Sequence, residues 1–376
     1  MTNNNRSIVF ACIVPHPPLL VPGVGKGQEA AISATSEAMI RIATNLAEAR
    51  PDAVVIISPH GETVAHAMGV FNGKESRGDM RSWGDPTPPR TFANDQQLAS
   101  AILEECAVRH IPSKPIGEDV YRLDHGVMVP LHFMASAVDK APLVPLTFSL
   151  LPLGIHYAFG QAIAAAAAKL NRRLALVASG DLSHRLIPGA PAGYDPLGRV
   201  FDRMLVDAVS QGDYEAVLKL DPNMIDRAGE CGLRSITILL GSLSGQNMTP
   251  KVFSYEGPFG VGYLVASFLP SLAGEEHYPY RNHPLAELAR QAVEARVRGG
   301  TQLEPGNLTP EMSERAGVFV CIKKSSELRG CIGTFEPTKN DVAHEVISNA
   351  ISSATRDPRF PPIDVSELPS LEYTVD

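Results

Sequence analysis

What most constrains this chain is the way its buried strands end. Short apolar, β-branched runs recur through the first 270 residues and alternate with longer stretches of helical periodicity. Three of these runs lead directly to a histidine. "SIVFACIV" (7–14) is followed by Pro15, His16, Pro17 and Pro18, and "AVVIIS" (53–58) by Pro59 and His60. "RLALVAS" (173–179) leads through Gly180 and Asp181 to His184. Further strand candidates are 64–71, 143–148, 262–268 and a run beginning near residue 250; helical patterns cover 27–49, 94–109, 126–138, 155–170, 196–210 and 232–243. Runs without polar alternation belong to strands covered on both faces, so the expected fold class is α/β, a mostly parallel or mixed central sheet with helices on both faces.

In an open sheet of this kind, ligands bind where strands give out at their carboxyl ends. If the three runs share a sheet, His16, His60 and His184 reach one edge. A fourth histidine, His125, precedes a helix in "LDHGVMVPL". Gathered imidazoles serve either a metal or proton transfer. Two neutral imidazoles with one carboxylate form the facial set of ferrous oxygenases. Glu230, between Gly229 and Cys231-Gly232 at a helix start, is a candidate carboxylate, and its other reading is a glutamate favoured by the helix dipole. His66, His110, His132, His156, His277, His283 and His344 lack the strand-end placement.

The bulk properties narrow the remaining classes. A length of 376 residues predicts two domains. A net charge of -8, from 33 basic and 41 acidic residues, argues against a nucleic-acid surface. No apolar run is long enough to span a bilayer, and "MTNNNRS" lacks a signal-peptide core. The five cysteines, Cys12, Cys106, Cys231, Cys321 and Cys331, contain no C-x-x-C pair and read as reduced thiols, hence a cytoplasmic protein. The segment 73–92, rich in Gly, Pro and charge and holding the chain's single tryptophan, reads as a loop, either a lid or a surface excursion. Strand pattern stops near residue 270, and a new helical pattern follows Pro284, so the expected domains are 1–272 and 284–376 with a linker at 273–283.

Taken together, "VPHPPLL", "SPHG", "LDHGVMVPL", "SGDLSHRL" and "GECGLRS" resemble the ordered motifs of LigB-type class III extradiol ring-cleavage dioxygenases and their Memo relatives. The resemblance implies His16, His60 and Glu230 as ferrous iron ligands, His184 as acid/base and His125 as a residue that hydrogen-bonds substrate or oxygen. It also implies a small aromatic diol and dioxygen as substrates; a homodimer is the default assembly. In the Memo relatives a cysteine of a "CG" pair takes the third ligand position, which Cys231-Gly232 matches and which would favour copper or a redox site. Both alternatives stand at this level. The second domain resembles the AMMECR domain through "ELRGCIGTFEP" (327–337) and "SATRDPRFPPIDVSELPSLEYTVD" (353–376), an α+β unit expected to be truncated. There Arg329 and Cys331 form a possible second site, the cation lowering the thiol pKa. The fusion resembles the AmmeMemoRadiSam group.

Overall fold

Eleven strands arise in the first 270 residues: β1 (Ile8–Val14), β2 (Ala53–Ser58), β3 (Met68–Phe71), β4 (Glu75–Gly78), β5 (Arg90–Ala93), β6 (Ser113–Ile116), β7 (Val120–Arg122), β8 (Leu143–Thr147), β9 (Leu174–Ser179), β10 (Met248–Glu256) and β11 (Tyr263–Pro270). The computed structural model describes residues 7–117, 119–271, 284–299, 303–306, 308–309, 311–324 and 327–375. Eight of the strands form one sheet in the order β10-β11-β1-β9-β2-β8-β3-β6. Its centre is parallel, β1 with β9, β9 with β2 and β2 with β8. β11 and β10 add an antiparallel edge, and β3 joins β8 antiparallel, so the sheet is mixed.

The central strands are buried on both faces, which explains their lack of polar alternation. Ile13, Val55, Ile57, Leu176 and Ala178 face one core, filled by Ile102, Phe159, Phe201 and Leu239 from four helices. Phe10, Cys12, Val14, Val54, Ile56 and Val177 face the other, filled by Met39, Ile42 and Leu46 of helix Ser33–Ala49 and by Leu131 and Met134 of helix His125–Val138. Shifting a central strand by one residue would exchange its two side-chain sets, so paired packing sets the register.

Segment 73–92 is not the irregular loop its composition predicts. It supplies β4 and β5, which join β7 in a small separate sheet ordered β5-β4-β7. Buried Ser76 exchanges hydrogen bonds with Asn94, while Met80 and Phe92 are buried in the second core. Two apolar anchors and one polar pair therefore hold an excursion whose glycines and prolines read as loop.

The chain divides into two compact units, Met1–Glu276 and His277–Asp376; the expected linker, 273–283, lies outside the described residues. Antiparallel strands β12 (Phe319–Lys324), β13 (Glu327–Gly333) and β14 (Leu371–Val375) are ordered β13-β12-β14. Helices Pro284–Val297 and Val342–Thr355 bury Leu285, Leu288, Val346, Ile347 and Ala350 against Val320, Ile322 and Tyr373. Among the described residues, no helix is long and apolar enough to cross a membrane.

The cysteine reading needs correction here. Cys321 and Cys331 face each other in the β12–β13 register and form a disulfide, so the five thiols are not all free. Directly opposed residues of an antiparallel pair bring their side chains close, a proximity invisible in the ten-residue separation. The thiol count therefore no longer argues for a compartment. Nor does Arg329 activate a Cys331 thiolate: its guanidinium donates to Glu367 (Nη2–Oε1 2.9 Å) and to the Pro361 carbonyl.

Glu367 also accepts from Lys324 Nζ at 3.0 Å and from the Asp364 N–H, completing a capping box. Hydrogen bonding from Arg329 is the main reason its carboxyl is pulled down to about 2. A carboxylate depressed on folding stabilises the native state above its unfolded pKa, and that contribution fades as pH falls through the folded value. Glu367→Gln is expected to cost the second unit roughly 1.5–3 kcal/mol at pH 7. The deficit, read by thermal unfolding of the full chain, shrinks between about pH 4.3 and about pH 2.

Candidate metal centre

Parallel pairing aligns the ends of β1, β9 and β2: Val14 lies opposite Ser179, and Ile57 opposite Ala178. The chain then leaves the sheet three times at the same edge, presenting His16, His60 and His184. His16 is 2 % exposed. Its backbone N–H donates to Asp181 Oδ1 (2.9 Å), and its Nδ1 meets Ser179 Oγ at 2.9 Å. The Ser179 hydroxyl spends its one proton on the Gly126 carbonyl, so it must accept from His16 Nδ1–H. That assigns the tautomer and leaves the His16 Nε2 lone pair facing inward.

His60 Nε2 lies 3.0 Å from His16 Nε2. Behind His60, its N–H donates to Ser58 Oγ, whose hydroxyl donates to Asp124 Oδ1 at 2.6 Å. His125, first residue of its helix, stacks on His60 with centroids 4.4 Å apart and planes at 22°, and stands edge-on to His16 at 5.3 Å. Burial pushes all three imidazoles below the ordinary histidine pKa, with neighbouring histidines adding to the effect at His16 and His60. They are therefore neutral, the form that ligates a metal.

The third donor comes from the start of helix Leu233–Ser242. Cys231 Sγ is 3.7 Å from His16 Nε2, and the nearest ligand atoms of His16, His60 and Cys231 all lie within 4.8 Å of one another. A second group, Asp181, His184 and Cys231, meets the same limit and shares the thiol. Glycines permit this meeting: a Cβ on Gly180 would fall 2.2 Å from Gly232 Cα. The Asp181 carbonyl accepts from Cys231 N and Gly232 N, and the Asp181 N–H donates to Cys231 Sγ at 3.3 Å.

Glu230, the carboxylate expected as a ligand, is engaged at the start of the helix. Its Oε2 accepts the Leu233 N–H at 2.6 Å and its Oε1 lies 4.0 Å from Arg234 Nη1. It lines a cleft of about 650 Å³ with Leu153, Leu218, Ile225 and Arg234, and burial raises its carboxyl pKa. Adjacent side chains in a non-helical stretch diverge, so turning Cys231 inward turns Glu230 toward the helix start, where the dipole favours a carboxylate.

His184 is brought to the same edge. Its Nδ1 donates to the Gly229 carbonyl at 2.6 Å, which leaves Nε2 bare, 4.0 Å from Asp181 Oδ2. The loop beneath it is pinned by Ser183 N donating to buried Asp202 Oδ1, whose Oδ2 accepts from Tyr255. Burial pushes Asp202 up to about 7.

The donor set fits a divalent transition metal. Two neutral imidazole nitrogens and one sulfur converge, a combination suited to iron, copper or zinc rather than to magnesium or calcium. Asp124 Oδ2 is buried without a hydrogen-bond partner, and burial raises the Asp181 carboxyl and the Cys231 thiol. A nearby cation reverses each of those costs.

Sequence reading missed Asp181, Asp124, Ser179 and Trp83 as members of this cluster. Asp181 stands three residues before His184 in "SGDLSHRL", where its spacing was the available signal. The others act through contacts between segments distant in the chain, and no local pattern marks them. By contrast His156 sits between the Pro152 and Ser149 carbonyls, a structural position.

The family model described as the catalytic LigB subunit of aromatic ring-opening dioxygenase matches residues 10–266, and the AMMECR1 model matches 286–376. A Clostridium acetobutylicum protein is 34% identical over 97% of this chain and 83% of its own. The 2-aminophenol 1,6-dioxygenase beta subunit of a Pseudomonas species is 25% identical, covering 70% of this chain and 94% of that subunit. A Thermotoga maritima protein is 45% identical over 25% of this chain and 56% of its own length. The chain belongs to the LigB family, and an AMMECR1 domain follows its LigB domain.

Proposed function

We propose that the LigB domain is a metal-dependent oxidoreductase that opens the ring of a small catechol-type diol with dioxygen. In this reading His16, His60 and Cys231 hold divalent iron. The observation that carries it is the convergence of His16 Nε2 and His60 Nε2, 3.0 Å apart, with Cys231 Sγ 3.7 Å from the former. The likeness to a 2-aminophenol 1,6-dioxygenase subunit supports the reaction class.

When bound, the iron supplies the electron transfer between diol and dioxygen. The protein does the rest. Ser179 holds His16 in the tautomer that exposes Nε2, and Gly229 does the same for His184. His184 Nε2, free to accept, takes the proton of a substrate hydroxyl and returns it later in the cycle. His125, packed on His60, hydrogen-bonds the substrate or oxygen.

One observation favours a second reading. Sulfur, rather than the carboxylate of Glu230, completes the close donor set, and soft sulfur suits copper or a redox site without ring opening. Metal analysis of protein purified without air, with oxygen uptake on a panel of catechols, separates the two: copper without catechol-dependent uptake supports the second.

Cys231→Ala is expected to lower metal affinity more than tenfold, measured as metal bound per chain after dialysis, while Glu230→Gln keeps its metal. The reverse pattern would reassign the third ligand. His184→Ala should retain metal yet lose oxygen consumption with catechol by about 10²–10⁴-fold; undiminished uptake removes its acid/base role. Gly180→Ala forces Gly232 away, costing about 1–3 kcal/mol in urea unfolding and reducing metal retention alongside.

A further inference from the structure

We propose that Trp83 is the wall against which the planar ring of the substrate lies at the mouth of the metal centre; this rests on the function proposed above. Three rings lead outward from the buried ligand. His16 Nε2 meets His60 Nε2 at 3.0 Å, His60 stacks on His125 at 4.4 Å, and the Trp83 ring sits 4.9 Å from His125 at 53°. His16 at the inner end is 2 % exposed, and Trp83 at the outer end is 46 % exposed.

Fold stability does not account for this tryptophan. Its neighbours Met80 and Phe92 belong to the second core, whereas Trp83 does not. The turn that carries it is held by main-chain bonds: Trp83 N and Asp85 N donate to the Met80 carbonyl, and Gly84 N donates to Arg81 O. Gly84 closes the turn at φ +96, a conformation suited to glycine. The small β5-β4-β7 sheet thus fixes a half-open indole beside a neutral imidazole without needing the indole for its own packing. An aromatic face so placed favours offset stacking with another planar ring. A diol reaching His16 and His60 with its oxygens would have its ring beside this face, which makes Trp83 a positioning residue for planar aromatic diols.

The test uses the full chain loaded with zinc, a redox-silent ion, in the wild type, Trp83→Ala and Trp83→Phe. 4-Nitrocatechol absorbance reports ring binding, and bound zinc is measured in parallel. Trp83→Ala should weaken binding about tenfold with zinc content unchanged, and Trp83→Phe should stay within about threefold of wild type. In the wild type, unsubstituted catechol should quench emission from the chain's single tryptophan, saturating at its binding constant. Equal affinity in Trp83→Ala, or catechol binding that leaves the emission unchanged, overturns the inference while the metal centre stands. A chain that takes up no zinc, or takes it up and binds neither catechol, overturns the proposed function and this inference together.

Discussion

The centre depends on one close backbone contact. Gly180, just past the end of β9, lies against Gly232 at the start of helix Leu233–Ser242 with no room for a side chain between them. Through that contact the Asp181 carbonyl accepts two N–H groups from the Cys231–Gly232 segment, and the Asp181 carboxylate accepts the His16 N–H. Three segments from distant parts of the chain are tied at one point. The thiol and the His16 imidazole approach because the backbones behind them touch.

Electrostatics follow from this crowding. Four histidines, two aspartates and a cysteine share a small volume, and charging them all would be prohibitive in a low-dielectric interior. Burial holds His16, His60 and His125 below the ordinary histidine pKa, and hydrogen bonds from behind assign ring protons, Ser179 for His16 and Gly229 for His184. Burial raises the Asp181 carboxyl and the Cys231 thiol, and a divalent cation beside them would lower both.

The AMMECR1 domain handles the same problem differently. Several of its carboxylates are paired with cations: Arg329 and Lys324 on Glu367, and Arg359 on Asp357, whose carboxyl is held well below its usual range. The "LRGCIG" segment is strand β13, held by a disulfide to β12 and by Asp357 accepting the Cys331 N–H. The residues that read as a reactive pair in sequence, Arg329 and Cys331, are each engaged with other partners.

Much of the fold was legible because fully buried strands leave continuous apolar runs and helices leave a 3.6-residue period. Histidines following strand ends likewise located His16, His60 and His184 at one sheet edge, since parallel strands deliver their carboxyl ends together. Sequence by itself determined these elements, the two-domain character and the family. Tertiary structure alone decided which of two adjacent residues, Glu230 or Cys231, turns toward the histidines, that Cys321 faces Cys331, and that Gly-rich segment 73–92 folds into strands bearing Trp83. Each of these depends on contacts between separate segments of the chain, where orientation is set by packing against a partner that local sequence does not specify.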